Sequence, residues 1–139
     1  LEGKIPLIYS SDRLYAIAYK WKIDFNENSK VHAFCNMLPE LNHNEIVGYT
    51  NVIGDYHVIL IKDEDDHMRI RKRFDITKEI IKKKGISVTE IMLRGGSTLT
   101  KIFSAIYIGD WASYYLALKY ETDPSPVKIV EDLKKRLKQ

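Results

Sequence analysis

Five side chains able to exchange protons near neutral pH, Glu27, His32, Glu40, His43 and Glu45, fall within nineteen residues of a 139-residue chain. They occupy FNENSKVHAFCNMLPELNHNEIVGY, Phe25 to Tyr49, a stretch dense enough in acids and bases to suggest proton transfer. Composition alone favours a plainer reading, a solvated segment whose polar residues cap helices and face water. Metal binding is a third option, since His43 with Glu45, or His32 with Glu40, offers nitrogen and oxygen ligands. No HExxH pattern is present, and His43-Asn44-Glu45 lacks the helical spacing of a zinc pair, so no metal site is expected. Cys35 lies in the apolar run His32-Ala33-Phe34-Cys35 and reads as a core thiol, not a nucleophile. Gly95-Gly96-Ser97-Thr98 resembles a phosphate-cradling loop without the lysine and spacing of a P-loop, and fits a plain strand-to-helix turn as well. His57, inside DYHVILIK, and His67, at a charged helix start, read as structural or solvent-facing. Asp63-Glu64-Asp65-Asp66 reads as a solvated helix N-terminus favoured by the dipole.

The elements that must position these groups follow from periodicity. Lys4 to Tyr9 is an apolar run that feeds a helix through Ser10-Ser11-Asp12; Leu14, Ile17, Ala18, Trp21 and Phe25 then recur at spacings of three and four. From Asn26 to Asn51 the pattern weakens, and Pro39 and Gly48 limit it to short helices and loops. Asp55 to Lys62 is an aliphatic run of the kind found in a central strand buried on both faces. A charged helix follows with Met68, Ile70, Phe74, Ile76, Ile80 and Ile81 inward, ending at Gly85, and Ile86 to Leu93 gives a third strand. Ser97 caps a long helix, Thr98 to Tyr120, too interrupted by Asp110, Lys101 and Lys119 to cross a membrane and expected to be a buried soluble helix. Asp123-Pro124-Ser125-Pro126 is a linker, with Ser125 as cap and Pro126 as first residue of a last amphipathic helix using Val127, Val130, Leu133 and Leu137. This order predicts one α/β domain over residues 1–139, with ligands at the carboxyl ends of a small parallel sheet.

A hydrophobic content of 45% with 29% charged residues suits a folded domain, not a disordered chain. The 22 basic and 19 acidic residues are intermixed, leaving a formal charge of +3 and no stripe to hold nucleic acid, though a small anionic substrate fits. One cysteine excludes an internal disulfide and points to a reducing cytoplasm. The chain opens on Leu1 without a signal-peptide pattern, and a fragment lacking an upstream part is the expectation.

GKIPLIYSS, YKWKIDFNENSKVHAF, MLPELNHNEIVGY, IYIGDWASYYLAL and DPSPVKIVEDLKKRL, in this order, resemble the C-terminal half of the archaeal and bacterial bifunctional phosphoglucose/phosphomannose isomerases. The resemblance implies a sugar-isomerase (SIS) domain, a three-layer α/β/α sandwich, preceded by a second SIS domain and acting as a homodimer. It implies an aldose–ketose isomerase that interconverts glucose 6-phosphate and mannose 6-phosphate with fructose 6-phosphate through a cis-enediol, with no metal or organic cofactor. By the same resemblance Glu27, in the NEN motif, is the proton-transfer base; His43, in NHNE, opens the sugar ring; and Lys134, with Lys135 the less favoured register, contacts the ring oxygen. His32, Glu40 and Glu45 fall back to supporting roles. The family's phosphate-binding serines and threonines and its enediolate-stabilising arginine lie mainly upstream. Relatives carry a proline where this chain has His32 and GES where it has GGS. A non-catalytic SIS domain that binds a sugar phosphate for regulation or dimerisation is the alternative from another class, and a flavodoxin-like binding module a third.

Overall fold

The computed structural model describes residues 1–138. Strands β1 (Ile5–Ser11), β2 (Phe34–Leu38), β3 (Tyr56–Lys62) and β4 (Ser87–Met92) form one parallel sheet in the order β2-β1-β3-β4. Helices α1 (Tyr15–Glu27), α2 (Met68–Lys83), α3 (Thr98–Lys119) and α4 (Lys128–Arg136) complete the chain, with 3-10 turns at Asp12–Leu14, Glu40–Asn42 and Glu45–Thr50.

Alternation along the inner strands creates two cores. Ile8, Ile59 and Ile61 point to one face, where Leu14, Ile17, Trp21 and Phe25 of the α1 region and Ala105 and Leu116 of α3 cover them. Leu7, Tyr9, Val58 and Leu60 point to the other, under Phe74 and Ile81 of α2 and Leu41 and Tyr49 of the 3-10 turns. Helices on both faces of a parallel sheet make the three-layer α/β/α sandwich expected from the sequence, with DYHVILIK as an interior strand.

Four departures from the sequence reading concern strands and helices, and a fifth the acidic run after β3. The segment read as short helices and loops contains β2, whose Phe34–Leu38 pair with Leu7–Ser11 of β1; as an edge strand with Phe34 exposed, it carries no strong alternation. Helix α2 buries Phe74, Thr77 and Ile81, leaving Met68 and Ile76 exposed. Helix α4 starts at Lys128 with Val127 at its cap position and no side-chain cap, while the Ser125 amide donates to Asp123 at 2.9 Å in a local turn ahead of it. The fourth is the long helix: α3 buries only Lys101, Ala105, Gly109, Ser113, Leu116 and Ala117, so about half its circumference faces outward. No helix is long and apolar enough to cross a membrane among the described residues.

Helices α1 and α3 meet at Gly109. A Cβ there would sit 2.5 Å from Trp21 Nε1, which donates to the Ala105 carbonyl at 2.8 Å. At the carboxyl end of β3 the acidic run is not a solvated helix start. Asp63 and Asp66 are buried, and the run forms a turn ahead of the helix, which begins only at Met68. Lys101, itself buried, donates to Asp63 at 2.7 Å and to Asp65; Arg13 reaches Asp63 at 2.6 Å and Asp66 at 3.2 Å. Burial by itself pushes the Asp63 carboxyl up, but the bonds from Lys101, Arg13 and the Asp65 amide outweigh it and hold the group below its ordinary value.

Two outcomes follow. Gly109→Ala should destabilise the domain by about 1–3 kcal/mol in denaturant melts, because the rigid indole has to move; an unchanged midpoint would contradict the close crossing. A depressed folded-state value means that Asp63 stabilises the fold fully above its unfolded value of about 4 and loses that contribution as pH falls through the folded one. Asp63→Asn should therefore cost roughly 3 kcal/mol at neutral pH and flatten the loss of stability below about pH 4, measured by urea unfolding across pH.

Candidate functional site

Helix α1 runs from the carboxyl end of the sheet to its amino end, and the segment that follows turns the chain into β2. Most polar side chains of that turn are engaged in building it. Asn26 donates to the Val31 carbonyl at 2.8 Å, Asn28 to Ser113 Oγ at 2.8 Å, and Ser29 to the Ser113 carbonyl at 2.7 Å. Lys30 adopts the left-handed conformation, φ 58°, and its ammonium donates to the Glu27 carbonyl and, at 3.0 Å, to that of Pro124. Lys30 thereby ties the end of α1 to the linker ahead of α4.

Glu27 is the exception. Its carboxylate is exposed and has no hydrogen-bond or ion-pair partner among the described residues. It lines a cleft of about 610 Å³ whose walls include Lys30 and His32 on one side and Pro126, Val127 and Val130 on the other. Lys134, also exposed, sits one turn beyond Val130 and two beyond Val127 on the same stripe of α4, whereas Lys135 is rotated off that stripe. Glu27 and the α4 stripe bearing Lys134 are thus brought to one side of the domain.

His43 is not brought there. Strand β2 carries the chain back across the sheet, five residues at about 3.3 Å each, so His43 emerges at the carboxyl end. Its amide donates to the Glu40 carbonyl at 2.8 Å. Its ring is exposed in a hollow of about 270 Å³ shared with Pro39, Glu40, Asn42 and Arg73. The expectation that ligands collect at the strand carboxyl ends fits this hollow but not the Glu27 cleft. Where the strand order reverses, between β1 and β3, the ion pairs of Arg13 and Lys101 with Asp63 already occupy the crevice.

The remaining candidates have structural duties. Glu45 accepts hydrogen bonds from the Tyr9 hydroxyl and from Asn36, and the Tyr9 and Tyr49 hydroxyls lie 2.6 Å apart. Burial, ahead of the Glu45 charge, pushes the Tyr9 phenol far up and Tyr49 up to about 12, so both stay protonated as donors. Glu40 accepts from Asn44 at 2.6 Å, and the Asn44 side chain caps the Glu45 amide. His32 stands at the rim of the Glu27 cleft, its ring 6.5 Å from Phe34. His57 bridges Ser87 and Thr89, its basicity lowered first by burial, and His67 caps α2 by accepting the Arg69 amide. Cys35 is half-buried, its thiol raised by burial. Ser97 caps α3 as expected, accepting the Thr100 amide at 3.2 Å. Among the described residues no three His, Cys, Asp or Glu side chains converge as a metal site. Sequence reasoning passed over Lys30 and Arg73. Neither carries a local signal: the left-handed conformation of Lys30 is one that sequence would assign to glycine or asparagine, and Arg73 is one of several bases on α2 that only the fold sets beside His43.

The sequence matches the family described as bacterial phospho-glucose isomerase C-terminal SIS domain over residues 1–137. A bifunctional phosphoglucose/phosphomannose isomerase of Caldicellulosiruptor bescii is 43% identical over 99% of this chain and 42% of its own length; that of Aquifex aeolicus is 39% identical over 99% and 43%. The chain therefore spans about two fifths of the length of the curated relatives it matches. Among solved structures, a glucose-6-phosphate isomerase like protein from Thermus thermophilus shares the fold at a TM-score of 0.75 and 21% identity, over 96% of this chain and 43% of that one. The C-terminal domain of glucosamine-fructose-6-phosphate aminotransferase from Francisella tularensis shares it at 0.61 and 18%, over 88% and 38%. With the parallel sheet, its two-sided helical cover and a match from end to end, this chain belongs to the family of bacterial phospho-glucose isomerase C-terminal SIS domains.

Proposed function

We propose that this chain is the C-terminal SIS domain of an aldose–ketose isomerase that interconverts glucose 6-phosphate and mannose 6-phosphate with fructose 6-phosphate, without a metal or organic cofactor. The observation that carries this reading is the carboxylate of Glu27, unpartnered among the described residues within a turn whose other polar side chains are nearly all bonded to the protein. A base must be rigidly placed yet free to take a proton, and this turn supports both conditions. Glu27 then takes a proton from C2 of the aldose and returns it to C1 through a cis-enediol. Lys134, on the stripe of α4 that flanks the same cleft, contacts the ring oxygen; its register with Val127 and Val130 favours it over Lys135.

His43 opens the sugar ring. The resemblance implies a site built across subunits with the histidine supplied by the neighbour, and the emergence of His43 at the other end of the sheet from Glu27 supports that arrangement and a homodimer. The missing phosphate contacts are assigned to an upstream SIS domain, and the single half-buried thiol suits a reducing cytoplasm.

In the full-length enzyme, Glu27→Gln should lower kcat on the order of a hundredfold or more while substrate still protects the protein against heat; near-normal turnover in a coupled assay would remove Glu27 as the base. His43→Ala should impair turnover of cyclic glucose 6-phosphate by at least about tenfold more than that of an open-chain substrate, a lower bound taken from typical general acid–base contributions. Equal defects with both substrates would argue against ring opening.

A further inference from the structure

The outward face of α3 is apolar from end to end. Leu99, Phe103, Tyr107, Trp111 and Tyr115 recur every four residues, with Leu118 completing the surface, and their exposures run from 42% to 64%. Trp111 lies at its centre, stacked on Tyr115 at 5.6 Å and edge-on to Tyr107 at 6.0 Å. Every charge on the helix is engaged elsewhere in the domain: Lys101 with Asp63 and Asp65, Asp110 with Lys20 at 2.8 Å, and Lys119 with Glu2 at 3.5 Å. An uncharged, aromatic-rich surface running the length of a six-turn helix has the composition of a permanent interface core, not of solvated surface.

The position of the amino terminus selects the occupant. The Gly3 amide donates to the Tyr120 hydroxyl at 2.7 Å and Glu2 pairs with Lys119 at 3.5 Å, so the start of the chain lies at the carboxyl-terminal end of α3. Any chain entering at Leu1 arrives beside this face and is held there at high effective concentration. In the relatives, about three fifths of the polypeptide lies outside the part this carboxyl-terminal domain matches. We infer that the α3 face is the docking surface for the amino-terminal part of the same polypeptide, with Trp111 as its central anchor. This rests on family membership and the exposed face, not on the roles given to Glu27, His43 or Lys134.

Hydroxyl-radical footprinting tests it without altering a residue, comparing the 139-residue chain with the polypeptide its gene encodes in full. Oxidation of Tyr107, Trp111 and Tyr115 should fall by about fivefold or more in the full polypeptide, as burial in an interface core demands, and stay low when that polypeptide is diluted to a monomer. Met68, 70% exposed on α2 across the sheet, should oxidise equally in both and serves as the control. Equal oxidation of the three aromatics in both chains overturns the proposal, as does a gene with no coding sequence ahead of Leu1. Protection already present in the short chain and lost on dilution also overturns it, by making a second copy the occupant. Because turnover is not measured, a failed Glu27 assignment would leave this result unaffected.

Discussion

A parallel sheet built of crossover connections needs cover on both faces, and that requirement organises this domain more than any single contact. Strands β1 and β3 meet it fully, with side chains alternating between two cores that α1 and α3 fill on one side and α2 and the 3-10 turns on the other. Cover thins toward β4, where Ser87, Thr89 and Met92 are exposed and α3 leans on α1 instead of the strand. Parallel pairing also dictates direction: each connection returns the chain to the opposite end of the sheet before the next strand starts. Glu27 and His43, sixteen positions apart in the sequence, lie at opposite ends for that reason. A dense cluster of titratable groups along a chain therefore does not imply a cluster in space when a strand lies between its halves.

What the sequence made legible was whatever periodicity or capping controls locally. The aliphatic run of β3, the stripe of α1 and the Ser97 cap all emerged where the pattern set them. Strand β2 was hidden because an edge strand of five residues, half-covered and followed by Pro39, has no need of alternation. The acidic run after β3 misled for a different reason. Its burial depends on Arg13 and Lys101, fifty and thirty-eight positions from Asp63, and no local pattern announces such a partnership. The outward face of α3 was read as core because apolar residues around most of a helix signal burial, whereas only the stripe of Lys101, Ala105, Gly109, Ser113, Leu116 and Ala117 is buried.

The candidate site residues come from resemblance, and their arrangement from the fold. Resemblance singled out Glu27, His43 and Lys134, while only coordinates revealed that the bonding of Asn26, Asn28, Ser29 and Lys30 leaves the glutamate as the free acid of its turn. The same coordinates assign Glu45 to a tyrosine pair, and so separate the two members of the His43-Asn44-Glu45 triplet that looked chemically alike.

Helix α4 buries none of its residues, and Ile129, Leu133 and Leu137 are exposed along it. Local opening of such an element is opposed by few contacts, whereas the end of α1 cannot open without disturbing Phe25 and Trp21 in the core. Glu27 and Lys134 therefore belong to separate cooperative units with different lifetimes. One wall of the cleft keeps the slow clock of the whole domain, and the other keeps the fast clock of a single helix.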